Sequence, residues 1–253
     1  MKLGLPILLT VISAIPLAQT PSPTDVFAKA REATWAISLL RYAQKGQVEY
    51  AAFVGTGFFV SRHHFITAEH VVNASLLGRK RNLTDRIRIF KNSPYETGYS
   101  AFKVVYEDAS LDIAILELAL AASEWLTVSI AEPAEGEPVG SYGYPLVEFS
   151  NVERATAFAL GRLGMVAGYG REGRMRRMLT TLTATEGNSG GPVFLMRTGH
   201  VVGVQKAQMT DSAGKDIAGY SVSTPLSAIR EELENRGIVK AQAQDLPREF
   251  FSR

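Results

Sequence analysis

The sequence predicts an all-β protein built as two packed sub-barrels and closed by a C-terminal helix, and three observations carry that expectation. Short runs rich in β-branched and aromatic residues recur along the chain, separated by glycine, proline or polar clusters, which is the rhythm of sandwiches and barrels rather than of alternating βαβ units. A break at Ala131–Pro138 (AEPAEGEP) divides these runs into two sets. Only one segment, near the end, keeps a helical apolar pattern.

The elements follow in chain order. Lys2 and the apolar run Leu3–Ala18 match the charged and hydrophobic regions of a secretory signal peptide, here residues 1–18. The run is shorter than the roughly twenty apolar residues a spanning helix needs and carries Pro6 and Pro16. Export to a periplasmic or extracellular compartment is therefore expected. A membrane tether is the alternative if the segment is not cleaved, because Pro16 sits where a small residue is preferred. Residues 19–32 form a leader, with Thr20–Asp25 read as flexible around Pro21 and Pro23. The first barrel occupies residues 33–131, with strands at Ala52–Val60, Arg86–Phe90, Phe102–Tyr106 and Ile113–Leu118. The second occupies residues 132–224, with strands at Ala155–Leu163, Met178–Thr183, Val193–Met196 and Val201–Val204. Residues 225–253 are helix and tail: Thr224 reads as the N-cap, Pro225 as the first helical residue and Gly237 as the stop.

Composition narrows the class further. Of the 253 residues 46% are hydrophobic and 21% charged, which suits a packed globular chain and not a disordered one. The net charge of +2 gives no field that calls for nucleic acid. There is no cysteine, so an exported chain of this kind is expected from a bacterium and needs no disulfide staples.

Three segments carry chemistry together. GTGFFVSRHHFITAEHVV leads to His70, LDIAILEL starts a strand at Asp112, and EGNSGGPVF places Ser189 among glycines. A serine hydroxyl is a weak nucleophile near neutral pH and needs an adjacent base, for which histidine has suitable basicity. A carboxylate on the far side of the imidazole fixes its tautomer and stabilises the imidazolium. The Gly187-Asn188-Ser189 turn can aim the N–H groups of Gly187 and Ser189 at an oxyanion. His70, Asp112 and Ser189 are thus the candidate catalytic residues.

In these motifs, and in their order along the chain, the sequence resembles the chymotrypsin-like (trypsin-like) serine peptidases, within them the cysteine-free bacterial branch related to the Deg/HtrA proteases. The match runs from about Trp35 to Ile229. It implies two six-stranded antiparallel β-barrels with the triad in the cleft between them, a protein or peptide substrate, and no metal or organic cofactor. It also implies that GHVVGVQKAQ and GYSVSTPL line the substrate cleft, which makes Val204, Gln205, Lys206 and Tyr220 candidate substrate-binding residues, with Thr183, six residues before the nucleophile, a further one at the pocket floor. Thr183 stands where the trypsin branch has an aspartate, so cleavage after uncharged residues is expected. Asn188 replaces the aspartate that precedes the nucleophile in trypsin itself, so activation by an inserted N-terminal ammonium is not expected. No PDZ module is expected after the helix. Homo-oligomer contacts, as in the Deg-like relatives, are left open.

Other features point elsewhere only weakly. Gly168–Gly173 matches G-x-G-x-x-G but lies ahead of a strand, so it reads as a hairpin loop and not as a dinucleotide fingerprint. His63 and His64 lack zinc-ligand spacing and read as a surface turn. Arg171, Arg174, Arg176 and Arg177 form the most concentrated positive charge, with Arg79, Lys80 and Arg81 a second cluster; both read as solvated loops. The rival function is a catalytically silent protease fold used for binding or scaffolding.

Overall fold

The structure is a computed structural model that describes residues 20–42, 48–73, 85–91, 98–99, 102–119, 121–145, 159–210 and 215–240. The apolar segment 1–18, the basic cluster at 79–81 and the tail 241–253 lie outside the described residues.

A helix, α1 (Pro23–Ala33), precedes the strands β1 (Thr34–Tyr42), β2 (Val48–Phe59), β3 (His64–Thr67), β4 (Asp85–Phe90), β5 (Gly98–Tyr99), β6 (Phe102–Asp108) and β7 (Ile113–Leu118). These pair as one seven-stranded sheet in the order β5-β4-β1-β2-β3-β7-β6. The strands β8 (Pro138–Gly143), β9 (Leu160–Glu172), β10 (Met175–Thr180), β11 (Pro192–Leu195), β12 (Val201–Thr210) and β13 (Asp216–Pro225) close into a six-stranded barrel. Every pairing between these strands is antiparallel. Among the described residues the first unit holds seven strands where six were expected, one of them the two-residue β5, too short to register as an apolar run.

The side-chain period of two explains why the strands that carry the site read as continuous apolar runs. Phe58, Ile66, Ile113 and Ile115 point into a cluster shared with Phe194, Val201, Val204, Leu226 and Ile229 of the second unit. Their neighbours Phe59, Phe65, Ala114 and Leu116 point the other way, onto Ile37, Ile87, Ile89 and Val71. A sheet buried on both faces leaves no polar alternation. Phe58 is fully buried, and burial of such a side chain stabilises by about 1.5–3 kcal/mol relative to exposure. The interior of the second unit is a third cluster of Val139, Val166, Met178, Leu182, Val193, Leu195 and Val202. The segment between the units stitches them: Leu126 donates to the carbonyl of Phe59 (2.9 Å), and Thr127 and Ser129 exchange hydrogen bonds with Val201 (2.8 Å each).

Several boundaries differ from expectation. Thr20–Asp25 is no flexible leader beyond residue 22, because Ser22 and Asp25 form a reciprocal capping box and Pro23 suits the first turn. Val26, Ala30 and Ala33 then bury one helical face, Phe27 stacks edge-on against Phe194 with centroids 5.6 Å apart, and Arg31 Nε donates to the Tyr142 hydroxyl at 3.2 Å. Thr34 opens β1, a central strand that the sequence reading passed over. The strand β8 is glycine-rich because a Cβ at Gly140 would lie 2.4 Å from the Phe194 ring. At the other end Thr224 and Pro225 finish β13 rather than start a helix; the helical turns are Leu226–Ile229 (3-10) and Arg230–Asn235, stopped at Gly237 with φ +64°. The expected strand Ala155–Leu163 is β9 from Leu160 onward; residues 155–158 lie outside the described residues. Gly168–Gly173 belongs to β9 and its hairpin, with Gly173 at the turn (φ +60°).

Candidate active site

His70 sits in a short helical segment, residues 69–73, directly after β3. Its Nδ1 lies 2.9 Å from both carboxylate oxygens of Asp112, and its backbone N–H donates to Asp112 Oδ1 at 3.0 Å. The His70 side chain is about half exposed, whereas Asp112 is 6% exposed. Burial alone would push the Asp112 carboxyl up. The hydrogen bonds from the His70 ring and backbone, with the charges of His70 and Lys206, outweigh it and hold the carboxyl below its usual range. Glu69, beside His70, points away and accepts from Asn73 Nδ2 at 2.8 Å.

Asp112 has φ +57°, the one positive φ outside glycine among the described residues. That conformation costs about 1–2 kcal/mol for a residue with a Cβ. The turn is held from two sides. Asp108 Oδ1 accepts from the N–H groups of Ser110 (2.8 Å) and Leu111 (2.9 Å). From the second unit, Arg177 donates to the carbonyls of Ser110 and Leu111, and Thr224 Oγ1 donates to that of Leu111 at 2.6 Å.

Ser189 lies in a turn between β10 and β11, packed against the elements around His70. Its carbonyl accepts from the N–H of Thr56 at 2.8 Å, and a Cβ at Gly190 would fall 2.1 Å from the Thr56 carbonyl and 2.8 Å from the nitrogen of Ala68. Gly187 and Gly190 take φ +88° and +89°, which only glycine adopts freely. Thr56 Oγ1 donates to the Gly187 carbonyl (2.7 Å) and accepts from the Tyr144 N–H (2.9 Å). Within the second unit Asn188 donates to Thr185 twice, backbone to carbonyl and Nδ2 to Oγ1, each at 3.0 Å. Arg162 in turn holds the Thr183 carbonyl and Thr185 Oγ1. The N–H groups of Gly187 and Ser189 have no acceptor among the described residues. The Ser189 hydroxyl donates to the Lys206 carbonyl at 2.9 Å.

The expected substrate-binding residues are placed unevenly. Thr183 is exposed, ahead of the nucleophile turn, and Tyr220 is exposed on β13. Val204 is not a cleft residue: its side chain is 1% exposed inside the core shared by the two units. Gln205 is likewise buried, and its backbone exchanges hydrogen bonds with Gly190 and Gly191, so it braces the nucleophile turn from behind. Lys206 faces Glu172, with Nζ 2.7 Å from Oε2. That hydrogen bond, joined by those from Arg177, outweighs burial and keeps the Glu172 carboxyl below its usual range.

The arginine cluster is not simply a solvated loop. Arg177 is 3% exposed, and Arg176 lies over the Tyr169 ring (4.4 Å to the centroid) while pairing with Glu132 at 2.9 Å. Sequence reasoning missed Arg177, Thr224, Thr56 and Arg162. Their targets are mostly backbone carbonyls far away in the chain, which leave no mark in a residue pattern. His63 Nδ1 meets the Leu118 carbonyl and His64 Nδ1 meets Ser61 Oγ, which accounts for both rings.

Residues 55–204, more than half of the chain, match the family described as trypsin-like peptidase domain. The chain belongs to that family. Among solved structures it is similar to the Rv3671c protease from M. tuberculosis in its active form, at 18% identity and a TM-score of 0.61, over 92% of this chain and 96% of that one. No curated protein matches the chain. Membership of a peptidase family makes proteins or peptides the substrate class.

Proposed function

We propose that this trypsin-like peptidase is an exported serine endopeptidase, with Ser189 as nucleophile, His70 as general base and Asp112 as the group that orients the imidazole. The observation that carries the reading is the placement of His70 Nδ1 at 2.9 Å from a buried carboxylate, beside a glycine turn that leaves two N–H groups free of acceptors among the described residues. With the Nδ1 proton held by Asp112, Nε2 is the basic nitrogen. In the reaction the Ser189 hydroxyl leaves the Lys206 carbonyl and gives its proton to Nε2, and Oγ bonds to the scissile carbon. The C–N bond then breaks as the imidazolium protonates the amine, and water hydrolyses the acyl-enzyme by the reverse proton path. The Gly187 and Ser189 N–H groups stabilise the oxyanion.

The nucleophile turn needs no inserted ammonium on this reading. Asn188 carries no charge to balance one, and the Arg162–Thr185–Asn188 chain with Thr56 already orders the turn. Thr183 supplies no carboxylate for a basic side chain, so cleavage falls after uncharged residues. Export rests on the segment 1–18 alone. The silent-scaffold reading has one observation in its favour, the Ser189 hydroxyl engaged with Lys206 instead of His70.

Digestion of a peptide library by the purified protein, with Ser189→Ala as control, separates the two. The expected result is cleavage after uncharged residues, lost by at least about a thousandfold in the control. No cleavage by the wild type would favour the scaffold, and cuts confined to arginine would overturn the specificity reading.

A further inference from the structure

We infer that Arg177 is a positioning residue for the catalytic acid, a clamp from the second unit that fixes the backbone turn presenting Asp112; the inference rests on the serine-peptidase reading above. An arginine has five N–H donors, and Arg177 makes four hydrogen bonds with an ion pair beside them. Nη1 donates to the Leu111 carbonyl and to Thr224 Oγ1, both at 2.7 Å. Nη2 donates to the Ser110 carbonyl (2.7 Å) and faces Glu172 Oε2 (2.8 Å), which also accepts from Nε (2.9 Å). The two carbonyls belong to the residues immediately before Asp112, whose left-handed backbone is costly and persists only where its surroundings impose it.

The chemistry of the side chain suits this task and no simpler one. A planar guanidinium reaches two consecutive carbonyls with a fixed fork, which a lysine ammonium cannot do with the same rigidity. Its charge is compensated by Glu172, while the cationic influences on Asp112 itself come from His70 and Lys206. The contacts of Arg177 reach Asp112 through the backbone of Ser110 and Leu111. Glu172, at the outer end, lines a cavity of about 380 Å³ together with Arg171, Lys206 and Gln208. Its carboxylate accepts from Arg177 and Lys206 at once, so the clamp is tied to the strand whose Lys206 carbonyl holds the nucleophile. One buried side chain thereby joins the acid turn of the first unit to the cleft strand of the second.

The test compares the wild type with Arg177→Met, Arg177→Lys and Thr224→Val, each checked for folding by thermal melting. The readouts are kcat and KM on a peptide the wild type cleaves and the rate of labelling by a fluorophosphonate. Displacing a catalytic group by about an ångström costs on the order of 10²-fold in rate. The expected result for Arg177→Met is therefore an approximately 100-fold fall in kcat and in labelling rate, with KM within about threefold. Arg177→Lys regains part of the loss. Thr224→Val removes one of two donors to the Leu111 carbonyl and lowers kcat about fivefold, the rate equivalent of one ordinary hydrogen bond. If Arg177→Met does not fold, Thr224→Val and Arg177→Lys decide the matter. Wild-type kcat in the folded variants overturns the inference, as does a loss confined to KM. An inactive wild type would instead overturn the serine-peptidase reading, so the two failures are distinguishable.

Discussion

The acid turn and the nucleophile turn belong to different units, and each is held both from within its own unit and by the unit it does not belong to. Asp112 leaves the seven-stranded sheet and is held by Arg177 and Thr224 of the barrel; Ser189 leaves the barrel and is held by Thr56 of the sheet. The means differ. The acid turn bends through a residue with a side chain and is pinned by a buried cation, whereas the nucleophile turn bends through glycines and is pinned by a neutral hydroxyl and close backbone packing. The difference follows from what each turn presents: a carboxylate must be aimed by the residue that bears it, while an oxyanion site needs bare backbone N–H groups. Reciprocal anchoring makes the relative placement of the two units part of the catalytic geometry.

Breaking the neutral anchor has the larger expected effect on stability. Thr56→Val keeps the shape but leaves the Gly187 carbonyl and the Tyr144 N–H without their partner, and each buried unpaired group costs about 1–3 kcal/mol. Thr224→Val leaves the Leu111 carbonyl still paired to Arg177 and deprives one Arg177 N–H of its acceptor, one unpaired group against two, so its melting temperature falls less. Equal melting temperatures for the two variants would contradict the asymmetry drawn here. Thr56→Val should also lower kcat by about 10²-fold, the order of cost of displacing by about an ångström the turn that carries Ser189 and the oxyanion donors.

Acid sharpens the contrast by a smaller effect, because the hydrogen bonds between the acid turn and His70 end on a carboxylate, whereas those that hold the nucleophile turn end on carbonyls and hydroxyls. The native Asp112 carboxyl stays ionised below its usual 3.8, so its contacts contribute fully above about pH 4 and lose their contribution as pH falls through the lowered native value. The stability margin of the wild type over Asp112→Asn, measured by urea unfolding, is therefore expected to narrow as pH drops below 3.8. A margin independent of pH between about 7 and 2 would show that the native pairing adds nothing to folding.

These anchors also mark where the sequence stops being legible. His70, Asp112 and Ser189 stood out because each lies in a short motif whose chemistry is local, and the paired faces of β2, β3 and β7 were visible as apolar runs. Arg177 sits among Arg171, Arg174 and Arg176 and is chemically indistinguishable from them in the sequence; only the fold brings it to carbonyls 66 and 67 residues earlier. Thr224-Pro225 has the local chemistry of a helix start, yet the hydroxyl is committed to Leu111 and the strand continues. Ser22 and Asp25 carried a readable capping box that the flanking prolines obscured. Val204 turns its side chain into the shared core together with Val201, because the register shift at Val202 interrupts strict alternation along β12, a break that no residue pattern announces.

The central claim is that the two turns converge to activate Ser189, and covalent labelling reads that activation directly. The purified protein is treated with a fluorophosphonate, and the adduct is located by mass spectrometry of the digested chain. The account predicts one adduct per chain, on Ser189, and none in folded His70→Ala. A folded wild type that takes no label, or takes it on another residue, would contradict it.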